Sequence, residues 1–205
     1  GVGPYARRQT RDVPDACAAG VRLVWPRRPD AGWILAGISF ATWLMSVITK
    51  EYSWVDRIWS IVPIVYAWVF AAAANFNDMR LNVMASLITL WGARLTFNFA
   101  RKGGYAPGGE DYRWEILRQR MKPWQYQIFN IVFIVIIQNV ILFMITLPMN
   151  DLLQNPSPFS TVDAVLAGLF IALLLLETIA DQQQWNFHQF KKAERAAGRD
   201  VKPGF

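Results

Sequence analysis

The strongest constraint on the fold is a series of about five apolar segments within 205 residues. The clearest of them, residues 128–147, runs for twenty residues without a charged side chain. A hydrocarbon core about 30 Å thick requires about 20 apolar residues of helix, whereas a helix of a water-soluble domain keeps one polar face. We therefore expect an integral membrane protein, in which each polar group inside a span has a structural or functional reason.

The apolar segments predict an all-α fold, a polytopic transmembrane helical bundle with about five spans. The expected spans are residues 32–49, 58–74, 81–100, 128–147 and 162–179. The chain then divides into three regions. The first is an extra-membrane N-terminal arm, disordered or extended, over residues 1–31. A transmembrane helical domain follows over residues 32–181, and a polar surface helix with a tail over residues 182–205.

Composition and charge exclude several classes of function. Hydrophobic residues make up 54% of the chain and charged residues 18%, with a net charge of +6. Because the basic residues cluster between the apolar segments, loops that face one leaflet explain them better than nucleic-acid binding does. The chain has a single cysteine, Cys17, and a single histidine, His188. We therefore expect no metal site and no intramolecular disulfide. The apolar spans make membrane lipids the first expected partners.

The third span carries the least expected side chain. Extending it over residues 81–100 places Arg94 inside the span, where an arginine costs about 2.5–3.5 kcal/mol on insertion scales. It is expected to face protein and to pair with a carboxylate, either Asp56 or Glu177. Glu177 and Asp181 are four residues apart and so share one helix face.

Several polar elements are expected to meet on one side of the membrane. Intramembrane or boundary charges are candidates for function, and a structural ion-pair network is an equal alternative from the spacing alone. The elements are Asp56 with Arg57, Arg94, the loop 108–113, and Glu177 with Asp181.

Four motifs in the same order resemble the steroid 5α-reductase-like membrane proteins, and more closely an uncharacterised bacterial and algal branch of them. Together they cover about two thirds of the chain. They are SWVDRIWSIVP at residues 53–63, WGARL at 91–95, GEDYRW at 109–114 and ETIADQQQ at 177–184.

The resemblance implies a helical bundle that reduces a conjugated carbon–carbon double bond of a steroid or related lipid with NADPH. It places Asp56 at the carboxylate that polarises the conjugated carbonyl and Trp91 near the position of an assisting tyrosine, with Arg94 completing the catalytic set. The residues that it implies for the cofactor, or for a lipid headgroup in a protein that has lost activity, are Glu110, Asp111, Arg113, Glu177, Asp181 and His188.

One departure from the family changes the functional expectation. Members continue with a segment of the type Arg-His-Pro-Asn-Tyr and two more helices, which supply much of the NADPH contact, and these 205 residues do not contain it. We therefore expect no cofactor and a reductase-like protein without catalytic activity. It would be a structural or lipid-binding accessory subunit in a larger membrane complex with other membrane protein subunits. The alternative is an active NADPH-dependent reductase of a conjugated double bond.

The N-terminal arm bears on localisation. The arm is rich in arginine, and the sequence begins with Gly1. Arginine-rich, acid-poor leaders are typical of organelle import. We therefore expect the mitochondrial inner membrane and a respiratory assembly, with the endoplasmic reticulum or another organelle membrane as the alternative.

Overall fold

The computed structural model describes residues 29–106 and 108–199, and their regular structure is helical throughout. This confirms the all-α membrane class. The expectation of a disordered or extended arm falls on residues outside the described ranges, apart from the first turn of α1. The helices are α1 Pro29–Thr49, α2 Trp54–Ile58, α3 Val62–Ala73, α4 Met79–Arg101, α5 Tyr112–Arg120, α6 Pro123–Phe129, a π-helix Asn130–Ile137, α7 Gln138–Met144, α8 Leu147–Gln154 and α9 Thr161–Ala196.

Within the described ranges, three helices are long and apolar enough to cross a membrane by themselves: Ala31–Thr49, Pro123–Met144 and Thr161–Ala196. The other two expected spans are also helical but differ from a simple span. The second is broken between α2 and α3, and α3 has only 12 residues. The third, α4, is a continuous helix of 23 residues that contains Arg94. Both elements carry polar side chains into the bundle.

The main core joins α1, α3, α4, α7 and α8. Its fully enclosed side chains include Tyr66, Leu81 and Leu142. The close packing of α4 against the break between α2 and α3 depends on Gly92. A Cβ atom at Gly92 would lie 2.4 Å from the backbone oxygen of Ser60. Glycine at this position therefore brings the middle of α4 against the end of α2.

A second, smaller core lies around α2, α5 and α6. It contains Tyr52, Val55, Trp114, Tyr126 and Ile134. The indole of Trp114 is only 9% exposed. This core fixes α5 beside α2, although α5 follows α2 by more than fifty residues along the chain.

Helix α9 stands apart from both cores, because none of its residues is buried. It runs unbroken from Thr161 to Ala196, so the polar helix expected at residue 182 is the continuation of the last span. Its N-terminus is capped by Ser160, whose Oγ accepts from the backbone N–H of Asp163 at 3.3 Å. Arg80 at the start of α4 also donates to Asp163 at 3.0 Å. Polar contacts thus tie α9 to α4.

Two features of the fourth span and its exit were not predicted from the sequence. The π-helix interrupts the span, and its buried Asn130 donates from Nδ2 to Oγ of Ser46 on α1 at 3.0 Å. The connection after residue 149 begins inside α8, which extends to Gln154. Because Pro148 lies in the first turn of α8, where its missing N–H is not needed, it starts a helix there.

Candidate active site

The candidate site is built around Asp56, which the short helix α2 places at the meeting point of two cavities. The larger has a volume of about 830 Å³ and the smaller about 280 Å³. Asp56, Trp59, Phe99 and Lys102 line both. The break after α2 leaves this region without a continuous helix, and so makes room for a ligand between α2 and α4.

The clearest donor to the carboxyl group of Asp56 is the side chain of Trp114. The indole N–H of Trp114 donates to Oδ2 of Asp56 at 3.0 Å. Burial raises the pKa of Asp56 above its ordinary value, and the hydrogen bonds from Trp114 and Ser53 oppose that rise without cancelling it. A carboxyl group with a raised pKa keeps its proton to higher pH, and a protonated carboxyl can donate a hydrogen bond to a carbonyl oxygen.

Arg57, next to Asp56, closes the loop over the larger cavity. It is 7% exposed and forms an ion pair with Glu51 at 2.7 Å. Its Nε donates to the backbone oxygen of Gly104 at 3.3 Å, and the hydroxyl of Tyr105 donates to the backbone oxygen of Arg57 at 2.9 Å. The hydrogen bond from Arg57 lowers the pKa of Glu51. This network holds the glycine-rich loop against α2.

The GEDYRW motif forms the wall of the larger cavity. Glu110 accepts from the backbone N–H of Tyr52 at 2.7 Å, and the N–H of Asp111 donates to Oγ of Ser53 at 3.0 Å. Asp111 and Arg113 form an ion pair at 2.5 Å. The hydrogen bond from Arg113 is the largest of the effects that lower the pKa of Asp111. These side chains line the cavity and are already paired with the protein, so they give its wall a fixed shape.

The smaller cavity contains the arginine of the third span. Arg94, whose side chain is 13% exposed, pairs with Glu177 at 2.8 Å and with Asp181 at 2.5 Å. The predicted pairing with Glu177 is therefore confirmed. Asp56 is not its partner, since the Asp56 carboxyl is held by Trp114. The amide of Asn98, one turn after Arg94, also donates to Asp181 at 2.5 Å.

Trp91 lies at the edge of this region. Its ring is 6.1 Å from that of Trp59, at an interplanar angle of 52°. Within the described part of the chain, this ring contact is the one interaction recorded for it, and no hydrogen bond joins it to Asp56. The assisting role that the resemblance implies for Trp91 stays a prediction.

His188 lines a third cleft, of about 450 Å³, between the end of α4 and the polar half of α9. The other lining residues are Arg101, Lys102, Trp185, Gln189 and Lys192, with no carboxylate among these six described residues. Arg101 is held in place by Gln182 at 2.9 Å and by the ring of Trp185 at 5.0 Å. Fixed cations beside an aromatic ring suit an anionic group such as a phosphate.

Three residues of the site were missed from the sequence. Asn98 could have been found, because it follows Arg94 by four residues on the same helix face. Arg101 could also have been found, because it follows Asn98 by three residues on the same helix. No sequence signal joined Trp114 to Asp56, since 58 residues separate them.

Together, the helical fold and the half-buried carboxyl at the junction of two cavities define an integral membrane protein with a candidate ligand site. Residues 42–205 match a family described as "Protein of unknown function (DUF1295)". The chain belongs to this family, which is a steroid 5α-reductase-like membrane family.

The chain is also similar to an uncharacterised protein of the fission yeast Schizosaccharomyces pombe, with 41% identity over 152 residues. The aligned region is 72% of this chain and 44% of the yeast protein. The chain therefore spans less than half the length of this relative. No solved structure matches this chain.

Proposed function

We propose that the chain is an NADPH-dependent reductase of a conjugated double bond in a steroid or other lipid, in which Asp56 polarises the substrate. The observation that carries this proposal is the Asp56 carboxyl, which has a raised pKa and lies where the two cavities meet. A membrane enzyme of this kind needs a proton donor at a carbonyl oxygen, in a pocket that limits water.

The chemistry follows from that position. The protonated Asp56 donates a hydrogen bond to the carbonyl oxygen of the substrate, which draws electrons away from the conjugated double bond. NADPH, if bound, would supply the hydride for the far alkene carbon. Asp56 would stabilise the negative charge that develops on the carbonyl oxygen, and a proton from solvent would complete the reduction at the carbon next to the carbonyl. One hydride and one proton would thus reduce one double bond.

The residues present fit the anionic parts of such a cofactor. The third cleft offers the cations Arg101, Lys102 and Lys192 together with His188. No carboxylate lies among its described lining residues, which favours a phosphate there. Lys102 also lines both cavities beside Asp56, so the cleft lies next to the proposed reaction site.

A second candidate function is the one expected from the sequence, a lipid-binding or structural accessory subunit. The exposed apolar side chains of α9, such as Leu166, Leu173 and Leu176, favour it, because they offer a long surface to lipid or another subunit. Its mitochondrial setting stays a prediction. Because the chain spans less than half of its yeast relative, the missing Arg-His-Pro-Asn-Tyr segment does not decide between the two candidates.

Calorimetric titration of NADPH into the protein in lipid nanodiscs separates the two. For a reductase we expect saturable binding that weakens in Lys192→Gln and persists in Lys191→Gln, a neighbour outside the cleft. Reduction of a conjugated keto-steroid such as progesterone is expected to be lost in Asp56→Asn, while NADPH binding is unchanged. A flat titration together with no reduction would support the accessory subunit.

A further inference from the structure

We infer that Trp114 is a positioning residue for Asp56, because its indole N–H holds Oδ2 as the accepting oxygen and so places the carboxyl proton on Oδ1. The effect of Trp114 on catalysis rests on the proposed function. The placement of the proton is a property of the protein alone, and can be measured without a substrate.

Two hydrogen bonds fix α5 onto α2 in the orientation that this requires. The backbone N–H of Asp111, the N-cap residue of α5, donates to Oγ of Ser53 at 3.0 Å. One turn later, Nε1 of Trp114 donates to Oδ2 of Asp56 at 3.0 Å. The indole is also enclosed by the small core, where its ring centroid is 6.3 Å from that of Phe129. The direction of the N–H is therefore determined by packing.

The chemistry of the two groups determines where the proton goes. An indole N–H donates and cannot accept. A neutral carboxyl has one carbonyl oxygen, which is the better acceptor, and one hydroxyl oxygen, which carries the donor. A donor fixed on Oδ2 therefore favours the form in which Oδ2 is the carbonyl oxygen and Oδ1 carries the proton. Asp56 lines both cavities, so its carboxyl lies within reach of a ligand there.

Other polar groups around Asp56 do not replace this donor. The hydroxyl of Ser53 also interacts with the carboxyl, while Asp111 and Arg113 act on it through their charges with opposite signs. A hydroxyl can rotate to donate or accept, so Ser53 does not select one oxygen. Trp91, the residue that the resemblance places near the carbonyl, packs against Trp59 instead.

Infrared spectroscopy of the protein in nanodiscs, with carbon-13 aspartate labelling and Asp56→Asn to assign the band, tests the inference. In Trp114→Phe we expect the carbonyl band of protonated Asp56 to move to higher wavenumber, because Oδ2 loses its donor. We also expect the pKa of Asp56 to rise further. If phenylalanine disturbs the small core, benzothienylalanine at position 114 serves as the second variant. Sulfur replaces the N–H in this residue, and the ring keeps its shape.

The matched control is Trp68→Phe, which removes an indole N–H that donates to Thr89 at 2.9 Å. It is expected to leave the Asp56 band unchanged. If the band and the pKa are the same in the parent protein and in both position-114 variants, the inference is wrong.

Activity gives a second measurement. With progesterone and NADPH, loss of the Trp114 N–H is expected to lower kcat about three- to tenfold, the equivalent of one hydrogen bond, with KM unchanged. The falling limb of the pH profile should move to higher pH. If the parent protein shows no turnover, the proposed function fails, while the infrared bands still confirm or refute the placement of the proton. Unchanged kcat in both variants of an active protein would overturn the positioning role.

Discussion

Substituting Arg94 with methionine should weaken the attachment of α9 to the rest of the bundle. Arg94 donates to both Glu177 and Asp181, and α9 contributes no buried side chain of its own. Methionine fills a similar volume but removes the charge and its donors. The two carboxylates then remain without their cation, and Asp181 keeps only Asn98 as a side-chain donor.

The size of the effect follows from the exposure of the three side chains. Removing one partner from a buried ion pair costs about 3–5 kcal/mol. The Arg94 side chain is 13% exposed and Asp181 is 32% exposed, but Glu177 is 55% exposed and contributes less. We therefore expect Arg94→Met to lower the free energy of unfolding by about 2–4 kcal/mol.

The assay is detergent-driven unfolding in bicelles, followed by circular dichroism and by a fluorophore pair placed on α4 and α9. Combining Arg94→Met with Glu177→Gln and Asp181→Asn removes all three charges, and should bring the stability back to within about 1 kcal/mol of the parent protein. Arg199→Gln, which breaks an exposed pair with Glu194 near the end of α9, is the control and is expected to change nothing measurable.

The triple variant is the decisive measurement. If it is as unstable as Arg94→Met alone, the loss does not arise from unpaired carboxylates and the reasoning fails. The same holds if Arg94→Met and Arg199→Gln have equal effects, because burial would then have no role in the strength of the pair.

Three further predictions test the site and its support. Because burial raises the folded-state pKa of Asp56, ionisation of this group opposes folding as pH rises through that value. Asp56→Asn should therefore be more stable than the parent protein at neutral pH and equally stable below the unfolded-state pKa. Thermal unfolding measured against pH will show the difference. Gly92→Ala should cost about 1–3 kcal/mol, because the new methyl group would meet the backbone oxygen of Ser60; an unchanged melting temperature would contradict this. The folded-state pKa of Glu51 is lowered by Arg57, so the parent should lose stability relative to Glu51→Gln as pH falls through that pKa; parallel pH curves would refute it.

The features that depend on helical periodicity and on the cost of burial could be predicted from the sequence. The apolar segments gave the helical membrane class, and the cost of an intramembrane arginine predicted that Arg94 faces a carboxylate. The four-residue spacing placed Glu177 and Asp181 on one face, so that both now pair with Arg94. Each of these arguments uses residues within one helix or one unpaired charge.

The features that depend on tertiary packing could not be predicted. The partner of Asp56 is Trp114, whose position is set by the small core and by the cap of α5. The break after α2 was read as part of a span, because its residues are apolar and one proline is tolerated in a membrane helix. The π-helix also lies in a uniformly apolar run, in which composition does not distinguish one helix type from another.

The pairing of Arg94 with the carboxylates of α9 affects the environment of Asp56. Asp56 and Arg94 both line the smaller cavity, and an unpaired cation there would favour the ionised form of Asp56. Helix α9 opposes this effect by bringing two carboxylates, Glu177 and Asp181, to Arg94. Burial is the largest of the effects on Asp56 and keeps its pKa raised. The ion pairs that dock α9 therefore also engage the cation that shares the smaller cavity with Asp56.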